Sequence, residues 1–216
     1  AELVRTIEKA PDLGVDISIK RVDFERVMQR MRTNISSEIS MIQKGLTHTP
    51  NLDYYPTIAE FTAPYTLKAG NETITSRLII LGVGSKPSIP PIKKIEKTGY
   101  LTSDTMLKLT KLPKSIAVIG GGYIAAEYGH FFAAMGSKVT IIGRNPQFLP
   151  DEEPEISLLA KRDLQKHMAI LTNNEVKEAE KTNVNQKKLI AVNRENGKPV
   201  EITAEEILVA SGRSSN

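Results

Sequence analysis

The chain has 216 residues, 40% of them hydrophobic and 25% charged, with a net charge of +4; this is an ordinary globular composition, with apolar material for one large domain or two small ones. It contains no cysteine, which excludes disulfides, thiolate metal sites and thiol catalysis within these residues. Basic residues are interleaved with acids and form only short pairs such as Lys93-Lys94 and Lys187-Lys188, and aromatics make up 5% with no Trp, so no nucleic-acid surface is expected.

No run of 18 apolar residues is present, so no membrane span is expected, and the N-terminus lacks the basic-then-apolar layout of a signal peptide. The three histidines, His48, His130 and His167, are too scattered to make a metal-ligand set. A cytoplasmic protein without a metal site is the resulting expectation.

In chain order, residues 1–9 read as the end of a helix closed by Pro11 and Gly14. Phe24, Val27, Met28, Met31, Ile35, Ile39, Ile42 and Leu46 then recur at spacings of three and four, which places them on one face of a long helix. Such a stripe packs a helix on its own domain or on a partner helix. From Asn51 to Leu81 the pattern turns to short strands at 58–61, 65–68, 72–74 and 78–81, parted by Pro64 and the turn at Gly70-Asn71, an antiparallel meander. Leu78-Ile79-Ile80-Leu81 is uninterrupted apolar and reads as buried on both faces. The stretch from Pro87 to Pro91 is the best candidate for an inter-domain crossing.

Ser103-Asp104 then caps a short helix reaching about Leu109, and Pro113 precedes a strand from Ile116 to Ile119. A helix from Tyr123 to Met135 stops at Gly136, and a strand from Lys138 to Ile142 follows. Asp151-Glu152-Glu153-Pro154 carries N-terminal helix chemistry, with acids in the first turn and an early proline. That helix should run to about His167. Strands near 169–171, 175–178, 188–192, 200–202 and 206–210 complete the chain.

Gly120-Gly121-Gly122-Tyr123-Ile124-Ala125 fits G-x-G-x-x-A. Alone such a hexamer is weak evidence, but here a buried-type strand precedes it, a helix follows, and a second strand comes at the distance a Rossmann unit requires. Gly120 permits the tight turn out of the strand. Gly122 lets the backbone approach a pyrophosphate closely, and Ala125 stays small so that the helix can pack on the strand. The first-turn amides of that helix, those of Tyr123 and Ile124 among them, then hold the phosphates. The segment 116–143 is thus expected to bind a nicotinamide dinucleotide. At the end of the second strand an acid suits the ribose 2′-OH of NAD, and an Arg suits the 2′-phosphate of NADP. Gly143 and Arg144 stand there, which favours NADP over NAD.

These pieces resemble the FAD-dependent pyridine nucleotide–disulfide oxidoreductases, a family that includes dihydrolipoamide dehydrogenase, glutathione reductase and mercuric reductase. Leu78 to Pro87 (LIILGVGSKP) is similar to the family's I-I-A-T-G-S-x-P, Gly120 to Glu127 (GGGYIAAE) to its G-x-G-x-x-[GA]-x-E, and Ile207 to Asn216 (ILVASGRSSN) to its second A-T-G-R-x-P-N. Phe24 to Leu46 resembles the long helix of its FAD domain, and Ser103-Asp104 its T-S-D. The resemblance implies that Gly120, Gly122 and Ala125 hold the dinucleotide and that Glu127 lies near the nicotinamide and the flavin edge. It implies that Tyr123 stands where some members carry a tyrosine covering the flavin, that Gly212 lies along the nicotinamide side, and that Ala59 and Gly84 touch FAD. Val83 replaces the usual Thr and Ser215 the usual Pro, and Pro150 stands where NADP-specific members carry a second basic residue.

The implied architecture is an α/β fold: a three-layer, Rossmann-like NAD(P)-binding domain at 93–207, a partial FAD-binding domain with the long helix and β-meander at 1–92, and a return to it at 208–216. The family's own FAD-binding G-x-G-x-x-G, C-x4-C pair and His–Glu interface domain have no counterpart here, so the chain is expected to be an internal fragment with no catalytic residue of its own. The parent is expected to pass hydride from NAD(P)H through FAD to a small-molecule or protein-bound disulfide, as a homodimer and in the manner of dihydrolipoamide dehydrogenase. An NADPH-dependent mercuric or glutathione reductase-like enzyme and a non-catalytic nucleotide-binding module are the alternatives.

Overall fold

The computed structural model describes residues 1–182 and 186–216, which divide into two units: Ala1–Gln29 with Ser85–Ser215, and Arg30–Gly84 with Asn216. The chain opens with helix α1 (Glu2–Lys9) and a 3₁₀ turn, Ala10–Leu13, stopped by Gly14 in the left-handed region at φ 77°. Helix α2 (Phe24–His48) begins where the Asp23 carboxylate accepts the Arg26 N–H at 3.1 Å, an N-terminal cap. Its first turns bury Phe24 and Met28, and the Phe24 ring lies 6.1 Å from that of Phe131 and 6.4 Å from that of Phe132. The expected apolar stripe is buried only there. Further along, in the second unit, Ile35, Ile39 and Ile42 are exposed.

The second unit carries a three-stranded antiparallel sheet, β1 (Ala59–Ala63), β2 (Thr66–Ala69) and β3 (Glu72–Thr75), paired in that order. Its turns form at Tyr65 (φ 58°) and Gly70 (φ 62°). The fourth expected strand does not form. Leu78, Ile80 and Leu81 lie outside regular secondary structure and are 66–86% exposed rather than buried on both faces. An apolar run is buried only if neighbouring strands flank it, and none of the described residues supplies one.

In the first unit, β4 (Ser85–Pro87) is followed by the short helix α3 (Ile95–Thr98), β5 (Leu101–Thr102) and a single 3₁₀ turn, Met106–Lys108, where a short helix was expected. Then come β6 (Ser115–Ile119), α4 (Tyr123–Met135), β7 (Lys138–Ile142), α5 (Pro154–Leu164) and β8 (Ala169–Leu171). The α5 helix ends three residues short of His167, in turns closed by Asp163, Leu164 and Lys161 carbonyls. Strands β9 (Asn174–Lys181), β10 (Lys187–Asn193), β11 (Pro199–Ala204), β12 (Glu206–Val209) and β13 (Arg213–Ser215) finish the chain.

Five strands form one parallel sheet in the order β5-β12-β6-β7-β8. Alternation along β6 divides its side chains between two layers. Ala117 and Ile119 join Ile142, Ile207 and Val209 against Val176, Ala179, Leu189, Ala191, Ile202 and Ala204 of the antiparallel sheet β11-β10-β9. The opposite face takes α4, where Phe132 is fully buried and a Cβ on Gly129 would sit 2.9 Å from Ile141 Cδ1. The three layers are therefore helix, parallel sheet and antiparallel sheet. The antiparallel layer serves as the crossover from β8 to β12.

Candidate functional site

The order β12-β6-β7 makes β6 a switch point: the chain leaves it toward β7 on one side and returns in β12 on the other. Open α/β sheets bind ligands in the crevice beyond the carboxyl ends of strands at such a point. Gly120 to Gly122 occupy it, between the end of β6 and the start of α4.

The three glycines have different reasons to be there. Gly120 has φ +133°, and a Cβ on it would lie 2.1 Å from the Ala210 carbonyl oxygen just past β12. Its N–H donates to the Ile142 carbonyl at 2.9 Å, so the turn is clamped between both neighbouring strands. Gly121 packs on Gly143, a Cβ on either lying 3.4 Å from the other's Cα, and its carbonyl accepts the Leu149 N–H at 2.7 Å. Gly122 differs. Its φ of −96° is open to any residue, and a Cβ there would meet nothing within 4 Å. The fold demands glycine at 120; at 122 the space is left for something other than the chain.

Gly122 is also the N-cap of α4 and contributes no side-chain cap. The first α4 bond runs from the Ala126 N–H to the Gly122 carbonyl at 3.1 Å, so the amides of Tyr123, Ile124 and Ala125 precede it and point out of the helix start. With the positive end of the helix dipole these could hold an anion. Ala125 is fully buried beneath them.

Tyr123 is exposed, and its hydroxyl donates to the Glu152 carboxylate. That bond, then burial, then the nearby charges of Glu152, Asp151 and Glu153 push its phenol above the ordinary value. The loop carrying these acids folds over the glycine turn. Phe148 is buried beside Gly121, Leu149 takes φ 50°, and the Gln147 side-chain amide donates to the Glu152 carbonyl at 2.7 Å. Glu127 is exposed one turn into α4, on the same helix face as Tyr123.

At the other end of the site Gly143 lies directly after β7. Its N–H donates to Leu171 at 2.8 Å and its carbonyl accepts from Asn174 at 2.9 Å. Arg144 is exposed beside it. Gly212, at φ +109°, follows β12 two residues beyond Ala210, and its carbonyl accepts the Ser88 N–H at 2.9 Å. The structure thus gathers Gly120, Gly122, Tyr123, Ile124, Ala125, Glu127, Gly143 and Arg144 at one end of the sheet, with Gly212 on the adjoining strand exit. Ala59, exposed at the start of β1, and Gly84, at φ +72°, belong to the other unit and are not part of this cluster.

Two features escaped the sequence reading. The β4–β13 ribbon pairs Ser85 with Ser215 and Pro87 with Arg213. Arg213 fastens it, donating to Ser85 Oγ at 2.8 Å and Ser103 Oγ at 3.1 Å and standing 3.4 Å from Asp104. The Tyr128 hydroxyl in turn donates to the Ser103 carbonyl at 3.3 Å, which ties the turn to α4. The motif similarity of both segments was the available signal. Gly129 is the second, since its missing Cβ lets α4 settle on Ile141 and Met168. No helix among the described residues is long and apolar enough to cross a membrane.

A sequence profile described as "Pyridine nucleotide-disulphide oxidoreductase" matches residues 6–216. The chain is 28% identical over 216 residues to a mercuric reductase of Lysinibacillus sphaericus, covering all of this chain and 39% of that protein. It is 30% identical over 222 residues to mycothione reductase of Mycobacterium tuberculosis, covering all of this chain and 47% of that one. Among solved structures, the HOCl-induced flavoprotein disulfide reductase RclA from Escherichia coli superposes with a TM-score of 0.81 at 28% identity, over 99% of this chain and 46% of that one. The chain spans less than half the length of these relatives. With a glycine turn at the switch point of a parallel sheet and a profile match across 6–216, the chain belongs to the pyridine nucleotide-disulphide oxidoreductase family.

Proposed function

We propose that these residues form the pyridine-nucleotide-binding part of a flavoprotein that passes hydride from NAD(P)H through FAD to a disulfide-type acceptor, as dihydrolipoamide dehydrogenase does. The observation that carries the reading is the contrast at the turn: Gly120 has no room for a Cβ, while Gly122 faces open space. The dinucleotide and the flavin supply the redox chemistry when bound, and the protein's part is to bind and orient. Gly122 and the amides of Tyr123, Ile124 and Ala125 would hold the pyrophosphate. Glu127 and Gly212 would border the nicotinamide. By the family resemblance Ala59 and Gly84, both in the second unit, would touch FAD.

Arg144 supports NADP over NAD, because an exposed guanidinium at the end of the second strand is matched to a 2′-phosphate. That one observation favours a second reading, an NADPH-dependent mercuric or glutathione reductase-like parent. The proposed domain division remains 1–92, 93–207 and 208–216, in a cytoplasmic homodimer. The test is a titration of the chain with NADPH and with NADH, followed by nicotinamide fluorescence. Saturable binding is expected, tighter for NADPH. Absence of binding by both would remove the nucleotide-binding reading, and equal binding would remove the role of Arg144.

A further inference from the structure

A second guanidinium reaches the Arg144 corner from a part of the chain fifty residues away. Arg194 lies in the turn between β10 and β11, and its NH1 donates to the Arg144 backbone carbonyl at 3.0 Å. Its placement is built at both ends. The Arg194 N–H donates to the Asn173 carbonyl at 2.8 Å, and the Asn173 N–H donates to the Asn145 carbonyl at 2.8 Å. The three bonds close a ring that joins the β10–β11 turn to the end of β7. Within the turn, the Asn193 side chain accepts the Glu195 and Asn196 amides at 3.0 and 3.2 Å, which fixes the residue preceding and those following Arg194.

The single recorded bond of the Arg194 side chain uses one of a guanidinium's five N–H donors. Its side chain is 48% exposed, and Nε stands 3.9 Å from Glu175, outside hydrogen-bonding distance. Glu175 is the carboxylate that faces the Arg194 side chain. It is bonded to Lys177 at 2.7 Å, and its carboxyl is held below the ordinary value by that bond first, with the charges of Arg194 and Arg144 adding to it. Three cations, Arg144, Arg194 and Lys177, thus act on Glu175, and Glu195 follows Arg194 in the turn. The corner keeps an excess of positive charge where a phosphate monoester would bring about −1.5 to −2.

We propose that Arg194 is a specificity-determining residue of the dinucleotide site, supplying, beside Arg144, the second guanidinium that binds the 2′-phosphate of NADP(H). The inference rests on the NADP reading of Arg144 given above. A bidentate or paired guanidinium grip suits a phosphate, and the ring of backbone bonds makes the grip preorganised.

The test measures the affinity of the 216-residue chain for NADPH, NADH and 2′,5′-ADP by calorimetry, with Arg194→Met, Arg194→Lys, Arg144→Met and Glu175→Gln. Arg194→Met is expected to weaken NADPH and 2′,5′-ADP about tenfold, the loss of one charge-assisted contact, and to leave NADH unchanged. Arg194→Lys should recover part of the loss, and Glu175→Gln should tighten NADPH. NADPH affinity unchanged in Arg194→Met, while Arg144→Met loses it, would overturn the role of Arg194 and leave the NADP reading standing. Equal weakening of NADPH and NADH by Arg194→Met would reduce Arg194 to a brace for the loop and overturn the inference. A wild-type chain that binds both dinucleotides equally overturns both.

Discussion

One residue separates Gly120 from Gly122, and substituting each by alanine separates fold from binding. In Gly120→Ala the new Cβ would lie 2.1 Å from the Ala210 carbonyl oxygen and 2.6 Å from its carbon, both backbone atoms that cannot rotate away. The backbone at φ +133° adds strain of about 1–3 kcal/mol for a side-chain-bearing residue, and forcing β12 from β6 adds about 1–3 kcal/mol more. The sum is on the order of 4 kcal/mol, which at about 2–4 °C per kcal/mol for a chain of this size lowers Tm by roughly 10 °C. Gly122→Ala meets no atom within 4 Å and keeps an ordinary φ of −96°. Alanine is a poorer N-cap than glycine by up to about 1 kcal/mol, but the stiffer unfolded chain returns about 0.4–1 kcal/mol. The net change in stability is near zero. Binding is expected to behave in the opposite way, because the added methyl would stand where the proposed pyrophosphate approaches. Loss of one charge-assisted amide contact, about 1.5–3 kcal/mol, corresponds to roughly 10- to 100-fold in Kd. Thermal unfolding and nicotinamide-fluorescence titration of both variants decide the matter. A Gly122→Ala protein with wild-type affinity, or one as destabilised as Gly120→Ala, would refute the assignment of that space to a ligand.

Glu152→Gln should bring the Tyr123 phenol back toward the ordinary value of 10.0, since the bond to Glu152 is the largest cause of its shift; absorbance titration of the tyrosines reads this, and the loss of one charge at the turn should tighten the dinucleotide a few-fold. Phe132→Ala removes a fully buried ring from the α4–sheet layer and should cost about 3–5 kcal/mol, measured by denaturant unfolding. His130 is held neutral, its imidazole pushed below the ordinary 6.5 by burial first and then by the Arg5 charge. The folded state therefore binds fewer protons there than the unfolded state. This contribution is fully present above pH 6.5 and is lost as the pH falls below it, through the lower folded value. His130→Gln should flatten the slope of Tm against pH on the acid side of 6.5; an unchanged slope would remove His130 as its source. Arg213→Lys should loosen the β4–β13 ribbon by about 1–3 kcal/mol through its lost bonds to Ser85 and Ser103, read as faster amide exchange at Ser85, Lys86 and residues 213–215.

Local chemistry made the binding unit legible. Gly122 before α4 and Gly136 after it bracket Tyr123–Met135, and the sequence alone places the helix at those same residues. The apolar runs of β6 and β7 report strands buried on both faces because both faces are covered, by α4 on one side and the β9–β11 sheet on the other. The same logic misreads Leu78–Leu81, for an apolar run states a demand for neighbours without supplying them. In α2 the stripe is a true helical face, but its pattern carries no record of where cover begins and ends: Met28 is 2% exposed and Ile42 62%. The β4–β13 ribbon was hidden because strands of three residues beside prolines and glycines show no period.

Arg144 and Arg194 mark the limit most clearly. The first is found by counting from the glycine turn, because a strand–helix–strand unit has a near-fixed length and its second strand must end beside the first. The second has no such ruler. Asn173 at φ 62° turns the chain at the start of β9, and a seven-residue strand, β10, then carries the β10–β11 turn back to the Arg144 carbonyl. Only the paired register of β9 and β10, with Asn193 opposite Asn174, brings Arg194 beside Asn173. Charge composition registers Arg194 as one base among many. Its meaning comes from the antiparallel layer having replaced a crossover helix, since a helix there would have no turn to extend toward the end of β7. The layer that distinguishes this fold from a plain doubly wound sheet is thus also the layer that brings the added charge to the Arg144 corner.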